Sequence, residues 1–455
     1  MGPGTSLGGG AADPAFPLLR RAADEIGVRA WAVGGYVRDT ILGRAHPDLD
    51  VVVEEGGALP MAERFAELAG ARRPALFPRF GTAQVTWGER LVEFVSARAE
   101  SYSPESRKPF VRPASVEEDL ARRDFTVNAM LMDFDGNVID PLGGRRDLES
   151  RLLRTPQPAV VTFSDDPLRM LRAIRFAAEL DFELAPDLLP TMRELRDRAR
   201  PPVLSVERMA GELRLMLLSR RPGRALKLLD EAGLMETLLP EVFACHGVEQ
   251  GGHHVADVFG HTLLTVERAA ELGPDGLVLR LAALFHDVGK PSSVAPDGSF
   301  RGHAAAGAAL TRRALTRLRF SNSEVESVTR LVMLHLRPVF YTSDWTDGAV
   351  RRLARDAGDQ LWTLMKLARA DIAASRYPDG AKVSELENRL HGVLEETPSR
   401  MRIPISGRDI MRVRGLAPGP EVGRIKAQLE ELVLEGTLPP DREALLEYLR
   451  DRADL

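Results

Sequence analysis

The chain has 455 residues, 44% of them hydrophobic and 28% charged, a globular balance with room for about two to four domains, which excludes disorder and collagen-like repeats. Its single cysteine, Cys245, excludes an internal disulfide framework, and no apolar run is long enough for a membrane-spanning helix. Lys and Arg total 61 against 66 Asp and Glu, a formal charge of -5, so any phosphate binding must be local rather than a property of the whole chain.

Residues 1–25 begin with a Gly- and Pro-rich stretch lacking a basic or apolar signal region, and are expected to be a flexible leader. From 26 to 145, short β-branched runs (VRAWAV, LDVVV, TAQVTW, RLVEFVS, then AMLMDF and NVID about Asp135-Gly136) alternate with helical segments after Gly35 and across MAERFAELAG. This predicts an α+β domain with a small mixed sheet. From about 145 onward the apolar period is 3.6 and everything is expected to be helical, in three parts: 146–242, 243–380 and 381–455. Seven of the nine histidines fall between 246 and 335, where chance would place about two, so this segment has a chemical reason to be imidazole-rich.

Three constellations carry chemistry. In VGGYVRDTILGRAHPDLDVVV (33–53), Gly34 and Gly35 stand at a strand-to-helix turn, where bare backbone and a helix start can receive a triphosphate, and Arg38 adds a cation. Asp48 and Asp50, at i and i+2, point to one face, so both carboxylates can hold Mg²⁺. In FSDDPLRMLRAIRFAAEL (163–180), Asp166, Arg169 and Arg172 make a polar stripe behind Pro167, with Arg175 following. A carboxylate beside a guanidinium can read the donor and acceptor pattern shared by cytosine and adenine. The bland alternative is a capping aspartate with a solvated arginine face. Segment 143–224 carries 16 Arg against 12 acidic residues, a local excess suited to an RNA backbone.

The third constellation spans HVADVFGHTLLTVE, LAALFHDVGKP, RGHAAAGA, LVMLHL and ARADIAAS. His261, His286, Asp287 and Asp371 have the donor chemistry for Ni, Mn, Co, Fe or Zn, and such a metal can activate water against a phosphoester. His303 and His335 either complete a second metal or bind phosphate.

GGYVRD, ILG and DLD, followed by RFGTAQV (79–85), VEFVSARAESY (92–102) and EDLARRDFTVNAM (118–130), resemble the class II tRNA nucleotidyltransferase and bacterial poly(A) polymerase family within the DNA polymerase β superfamily. HDVGKP with His261 and Asp371 resembles the HD superfamily of metal phosphohydrolases. The resemblance covers roughly residues 27–440. It implies a polymerase β-like head (26–145), a neck with base-recognition and RNA-binding helices (146–242), an HD domain (243–380) and a helical tail (381–455). It implies catalysis by Asp48 and Asp50 with Mg²⁺, nucleotide contacts from Gly35, Arg38, Arg122, Arg123, Asp124, Asp166, Arg169, Arg172 and Arg175, and a place near the metals for Glu93, where the family more often has Asp.

The implied activity is template-independent addition of C, C and A, from CTP and ATP, to tRNA 3′ ends by a cytoplasmic enzyme without membrane or obligate protein partner. HD-bearing members resemble enzymes with an added phosphodiesterase or phosphatase activity. The alternatives are an A-only tRNA enzyme, a poly(A) polymerase and, from another class, an HD phosphohydrolase with a non-catalytic RNA-binding head.

Overall fold

The computed structural model describes residues 5–6, 13–46, 48–103, 106–250, 256–273, 276–375, 380–396 and 403–452. They divide into two compact units, Met1–Arg220 with Leu228–Leu238, and Arg221–Lys227 with Leu239–Leu455.

The first unit begins with β1 (Thr5–Ser6), α1 (Phe16–Ile26), β2 (Ala30–Val33), α2 (Gly35–Ile41), β3 (Leu49–Val53), α3 (Ala58–Ala69) and β4 (Ala75–Phe77). It continues with β5 (Thr82–Trp87), β6 (Arg90–Ser96), β7 (Arg98–Ser103), β8 (Ser106–Pro113), α4 (Val116–Ala121), β9 (Leu131–Met132) and β10 (Asn137–Ile139). Seven of these strands and the two-residue β1 form one mixed sheet, in the order β1-β10-β9-β2-β3-β6-β5-β4, while β7 and β8 pair separately as a hairpin. β3 is central and runs antiparallel to β2 but parallel to β6, with Asp50 in register with Glu93. Its Leu49, Val51, Val52 and Val53 are buried, so the strand is apolar on both faces except at Asp50.

Two sequence expectations need correction here. The leader ends earlier than residue 25: α1 begins at Phe16, with Pro17 in its first turn, and buries Phe16, Leu19, Ala22 and Ala23 while packing on α3. That apolar stripe at i, i+3 and i+6 to i+7 gives the segment a core to join, which the Gly-rich composition upstream concealed. The rest of the leader call, residues 1–4 and 7–12, lies outside the described residues. Nor is everything beyond residue 145 helical. Among α5 (Gly144–Glu149), α6 (Ala159–Asp165), α7 (Leu168–Leu180), α8 (Leu188–Leu195) and α9 (Val206–Leu218), the pairs β11 (Leu152–Leu153) and β12 (Glu183–Leu184) join in a parallel ladder.

After α10 (Pro222–Glu231) and α11 (Met235–Leu238), the second unit is helical in all its described elements. These are α12 (Pro240–Phe243), α13 (Val258–Glu271), α14 (Leu277–Phe285), α15 (His303–Arg317), α16 (Asn322–Leu334), α17 (Leu336–Val339), α18 (Asp347–Ala357), α19 (Leu361–Ala373) and α20 (Ala381–Glu396). The last three, α21 (Gly407–Arg414), α22 (Pro420–Leu434) and α23 (Arg442–Asp451), close over a core of Ile410, Ile425, Leu429, Val433, Leu445 and Leu449. No helix among the described residues is long and apolar enough to cross a membrane.

Candidate active site and metal centre

In the first unit, the β2–α2 turn, the start of β3 and helix α7 enclose a cleft of about 330 Å³. It is lined by Gly34, Gly35, Arg38, His46, Asp50, Arg123, Asp124, Asn128, Arg172, Arg175, Phe176 and Glu179. Eight of the sequence-derived candidates, Gly34, Gly35, Arg38, Asp50, Arg123, Asp124, Arg172 and Arg175, therefore meet in one cavity, while Asp48, Glu93, Arg122, Asp166 and Arg169 are not among its lining residues.

Gly34 has φ 77 and ψ -136, a backbone region essentially reserved for glycine. A Cβ there would lie 3.3 Å from Asp50 Oδ2 and 3.4 Å from Arg123 Nη1, so it would intrude between the carboxylate and the guanidinium. Gly34→Ala is expected to cost about 1–3 kcal/mol from the backbone alone, read as a lowered chemical-denaturation midpoint, and to raise the nucleotide KM. An unchanged midpoint would contradict this. At Gly35, which opens α2, an added Cβ would stand 3.0 Å from His46 Nε2.

Of the two aspartates expected to share a strand face, only Asp50 stands within β3 and lines the cleft; Asp48 precedes the strand. Asp50 is half-buried on β3, Asp48 is exposed one residue before it, and Glu93 lies opposite Asp50 on β6 with Gln84 Nε2 donating to its Oε2 at 3.2 Å. Burial pushes the Asp50 carboxyl above the usual carboxylate range and the charges of Glu93 and Asp48 push it further, against Arg123 and His46. A half-buried carboxylate with further carboxylates close by offers oxygen donors that fit a divalent cation.

The arginines divide into those aimed at the cleft and those held by the protein. Arg38 is buried, donating from Nε and Nη2 to Asp39 at 2.8 Å each and from Nη1 to Asn128 Oδ1 at 2.8 Å, so it braces the turn. Arg123 is anchored by Nε and Nη2 to Asp119 Oδ2, at 3.1 and 3.0 Å, with Nη1 left towards Gly34. Arg122 also bonds Asp119, as well as the carbonyl of Arg98. Asp124 accepts from its own neighbour Phe125 N and from Asn128 on Oδ1, and from Arg172 Nε at 2.9 Å on Oδ2. Burial works against the Asp124 carboxylate, but the Arg172 ion pair and the Asn128 hydrogen bond hold it below the usual range. Arg175 is buried between Glu212 and Glu179, 2.8 Å from each. The guanidiniums of Arg38, Arg172 and Arg175 stand 5.2, 5.3 and 4.0 Å from the centre of the Phe176 ring.

The expected Asp166–Arg169 pairing takes another form. Asp166 lies between α6 and α7; its Oδ1 accepts from Leu168 N, as a capping residue does, and its Oδ2 accepts from Arg208 Nη2 on α9 at 2.8 Å. Two helices, not one, thus define this carboxylate's surroundings.

In the second unit six side chains converge. His261 stands on α13, His286 and Asp287 follow α14, His303 opens α15, His335 follows α16 and Asp371 lies near the end of α19. All but Asp371 are buried. His261 Nε2, His286 Nε2 and Asp371 form one group of potential ligand atoms lying within 4.8 Å of one another, and Asp287, His303 and His335 form a second. Burial and the charge of His286 push the His335 imidazolium down to about 4, leaving a neutral ring at physiological pH. Burial would also lower His286, but Asp287 and Asp371 raise it. His246 instead stacks on Phe259 with ring centres 3.7 Å apart, and His253 and His254 lie outside the described residues.

With both sites in view, the similarities to known proteins are specific. Residues 30–154 match the model of the poly A polymerase head domain, 181–245 that of a probable RNA and SrmB-binding site of polymerase A, and 258–374 that of the HD domain. The chain is 34% identical to the A-adding tRNA nucleotidyltransferase of Deinococcus radiodurans, over 90% of this chain and 93% of that one. It is 36% identical to the CC-adding tRNA nucleotidyltransferase of Thermus thermophilus, over 91% and 92%. The chain belongs to the tRNA nucleotidyltransferase family. It also resembles the Bacillus stearothermophilus CCA-adding enzyme in complex with CTP, with a TM-score of 0.72 and 26% identity over 97% and 98% of the two chains.

Being a nucleotidyltransferase, the protein is not chiefly an HD phosphohydrolase with a degenerate head, and the family's use of a divalent cation agrees with the donor set around Asp50. Three residues that line this nucleotidyltransferase's cleft or hold its arginines escaped sequence reasoning, His46 in the lining and Asp119 and Glu212 behind it. Asp119, fully buried, holds both Arg122 and Arg123, and its i-3 and i-4 spacing within EDLARRD was the available signal. Glu212 holds Arg175 across a separation of 37 residues, which no local pattern marks. His46 lines the cleft with Nδ1 2.6 Å from the Asp48 carbonyl; as a histidine outside the His-rich segment, it carried no signal of its own.

Proposed function

We propose that the protein adds the complete CCA sequence to the 3′ end of tRNA from CTP and ATP, without a nucleic-acid template, in the cytoplasm. The observation carrying this reading is the convergence of Gly34, Asp50 and Arg123 in one cleft that helix α7 also lines through Arg172, Arg175 and Phe176. Asp48 and Asp50, with Glu93 beside them, are the residues to hold Mg²⁺. Bound there, Mg²⁺ supplies charge that polarises the reacting phosphate and steadies the departing pyrophosphate.

The chain's own groups do the positioning. Gly34 and Gly35 let the triphosphate approach the backbone at the start of α2, and Arg123 Nη1 meets its oxygens. Arg38, Asp124, Arg172 and Arg175 act mainly by fixing one another and Phe176, so the cleft is rigid before nucleotide arrives. Asp166 and Arg169 select the base: a carboxylate accepts the exocyclic amine of cytosine or adenine, and a guanidinium donates to the adjacent ring nitrogen. Uracil and guanine present a carbonyl where the amine is required. Arg208 takes one oxygen of Asp166 and keeps the carboxylate oriented, so Arg208→Ala is expected to raise misincorporation of UMP.

A second reading is partial addition, because the two relatives matched over nine-tenths of the chain are an A-adding and a CC-adding enzyme. Transcripts of one tRNA ending before CCA, after the first two C residues, or complete, each incubated with CTP alone, ATP alone and both, separate the cases. Full CCA addition predicts extension of the first with CTP and ATP, of the second with ATP alone, and of the third with neither. A ladder of A residues on every transcript identifies a poly(A) polymerase.

We also propose that the His261, His286, Asp287 and Asp371 cluster binds a transition metal, among Ni, Mn, Co, Fe and Zn, and hydrolyses phosphoesters. Four nitrogen and oxygen side chains set close together, three of them buried and Asp371 half-buried, support it. Hydrolysis of 2′,3′-cyclic AMP by the Ni²⁺- or Mn²⁺-loaded protein, lost in Asp287→Ala, is the test; equal rates would remove the activity.

A further inference from the structure

Three elements of the first unit meet at one carboxylate that does not line the cleft. Asp13 stands just before α1, and both of its oxygens are engaged. Oδ1 accepts from Arg90 Nη1 at 2.7 Å and from Ala15 N at 2.9 Å, and Oδ2 accepts from the Tyr36 hydroxyl at 2.8 Å. Tyr36 lies in the first turn of α2 and Arg90 opens β6, so the carboxylate joins the starts of α1, α2 and β6. The Arg90 guanidinium also stands 5.5 Å from the centre of the Tyr36 ring, which closes the triangle.

The joint is largely withdrawn from water, with Tyr36 buried and the Arg90 and Asp13 side chains 19% and 11% exposed. Screening therefore weakens it less than it would a surface ion pair. Burial and the Asp13 carboxylate push the Tyr36 phenol up to about 12, so the hydroxyl keeps its proton and donates. Burial works against the Asp13 carboxylate, but the hydrogen bonds from Arg90, Ala15 N and Tyr36 hold it below the usual range. Hydrogen bonds to an ionised acceptor are the strong, geometry-fixing kind.

Both halves of the transfer site hang from this joint. Tyr36 follows Gly35 directly, and its ring meets Phe16 of α1 and His46 edge-on, with centres 5.9 and 6.4 Å apart. His46 lines the cleft. On the other side, Arg90 precedes Glu93 on the strand that runs parallel to β3, where Glu93 is in register with Asp50. Tyr36 thus controls the glycine turn and Arg90 the strand beside the Asp50 carboxylate. The turn and that carboxylate stand so close, 3.3 Å from a Cβ placed on Gly34 to Asp50 Oδ2, that a shift of one against the other reshapes the cleft.

We propose that Asp13, Tyr36 and Arg90 are positioning residues for nucleotide binding, holding the Gly34–Gly35 turn at a fixed distance from the carboxylate-bearing strands β3 and β6. Their role deepens the reading of that turn as the seat of the triphosphate and rests on it.

The test separates KM from kcat. Rates are measured with tRNA transcripts ending before CCA or after its two C residues, varying CTP and ATP in Mg²⁺, together with thermal midpoints of the full chain. Tyr36→Phe keeps the ring and its packing and removes only the hydroxyl. It is expected to raise the nucleotide KM about three- to tenfold, with kcat within about twofold of wild type. Arg90→Gln is expected to act similarly, and Arg90→Lys, which keeps a cation for Asp13, to recover most of the loss. Asp13→Ala combined with Tyr36→Phe should raise KM no further than Asp13→Ala alone, as residues acting through one another do. A wild-type KM in folded Tyr36→Phe or Arg90→Gln protein would overturn the proposal even where the midpoint falls, since lost stability alone is a structural role. A loss in kcat exceeding the rise in KM would also overturn it. If Tyr36→Phe fails to fold, the two Arg90 variants decide. A wild type that transfers no nucleotide would overturn the reading of the turn and the joint together, whereas normal transfer with unmoved variants overturns the joint alone.

Discussion

Asp50→Asn is expected to reduce nucleotide transfer by about 10³-fold or more while leaving the metal-free protein at least as stable as the wild type. The loss follows from removing a ligand to a cation that contributes several kcal/mol of charge stabilisation to the reaction, each 1.36 kcal/mol being a factor of ten. The stability follows from the sign of the Asp50 shift. Burial, with Glu93 and Asp48 nearby, holds this carboxyl above its ordinary value in the folded state. The native state therefore binds the proton more tightly than the unfolded chain, and stability falls as pH rises through that interval. At neutral pH the ionised Asp50 costs stability, and an amide removes the cost. Thermal unfolding in chelator should show a midpoint for Asp50→Asn equal to or above that of wild type near pH 7.5, the difference closing as pH is lowered through the carboxylate range. A clear drop in midpoint at neutral pH would mean that Asp50 is a structural residue and that its effect on transfer is indirect.

Glu212→Ala should act the opposite way, on the fold first. Glu212 and Arg175 are 6% and 8% exposed and joined at 2.8 Å. Removing one partner of a buried ion pair leaves the other charge uncompensated, at a cost of about 3–5 kcal/mol. Glu179 still lies 2.8 Å from Arg175, which argues for the lower end, about 3 kcal/mol. For a unit of this size that corresponds to a fall of about 6–12 °C in the unit's unfolding midpoint. Because Arg175 supports Phe176 and with it the cleft wall, the nucleotide KM should rise as well, whereas Asp50→Asn should affect mainly the maximal rate. A midpoint within about 1 °C of wild type would show that Arg175 has other adequate partners.

The two variants mark how far sequence reading reaches in this molecule. Asp50 stood out in the sequence because a strand has period two, which would set a carboxylate pair on one face, and because glycines suited to a phosphate turn stand nearby. The histidine and aspartate cluster was legible from composition, since imidazoles collected in one segment ask for a common purpose; four of the seven histidines there meet at the cluster. Glu212 and Arg208 were not legible, because each acts on a partner chosen by packing, whereas Asp119 had its helical spacing to Arg122 and Arg123 as a signal. Asp166 shows the limit within a single motif: its neighbour on α7 was foreseeable from helical spacing, but the arginine it pairs with comes from α9. Likewise α1 was overlooked because fifteen positions rich in Gly, Ala and Pro precede its apolar stripe, and β11 and β12 because two-residue strands carry no period.

The direct measurement is the 3′-end sequence of a tRNA transcript lacking CCA after incubation with the protein, Mg²⁺ and all four nucleoside triphosphates. A cleft that holds triphosphate between Gly34 and Arg123 and selects bases through Asp166 predicts molecules ending in CCA and extended no further, and no extension by the Asp50→Asn protein. An unextended transcript, a tail of repeated A, or frequent U and G at the added positions would contradict it.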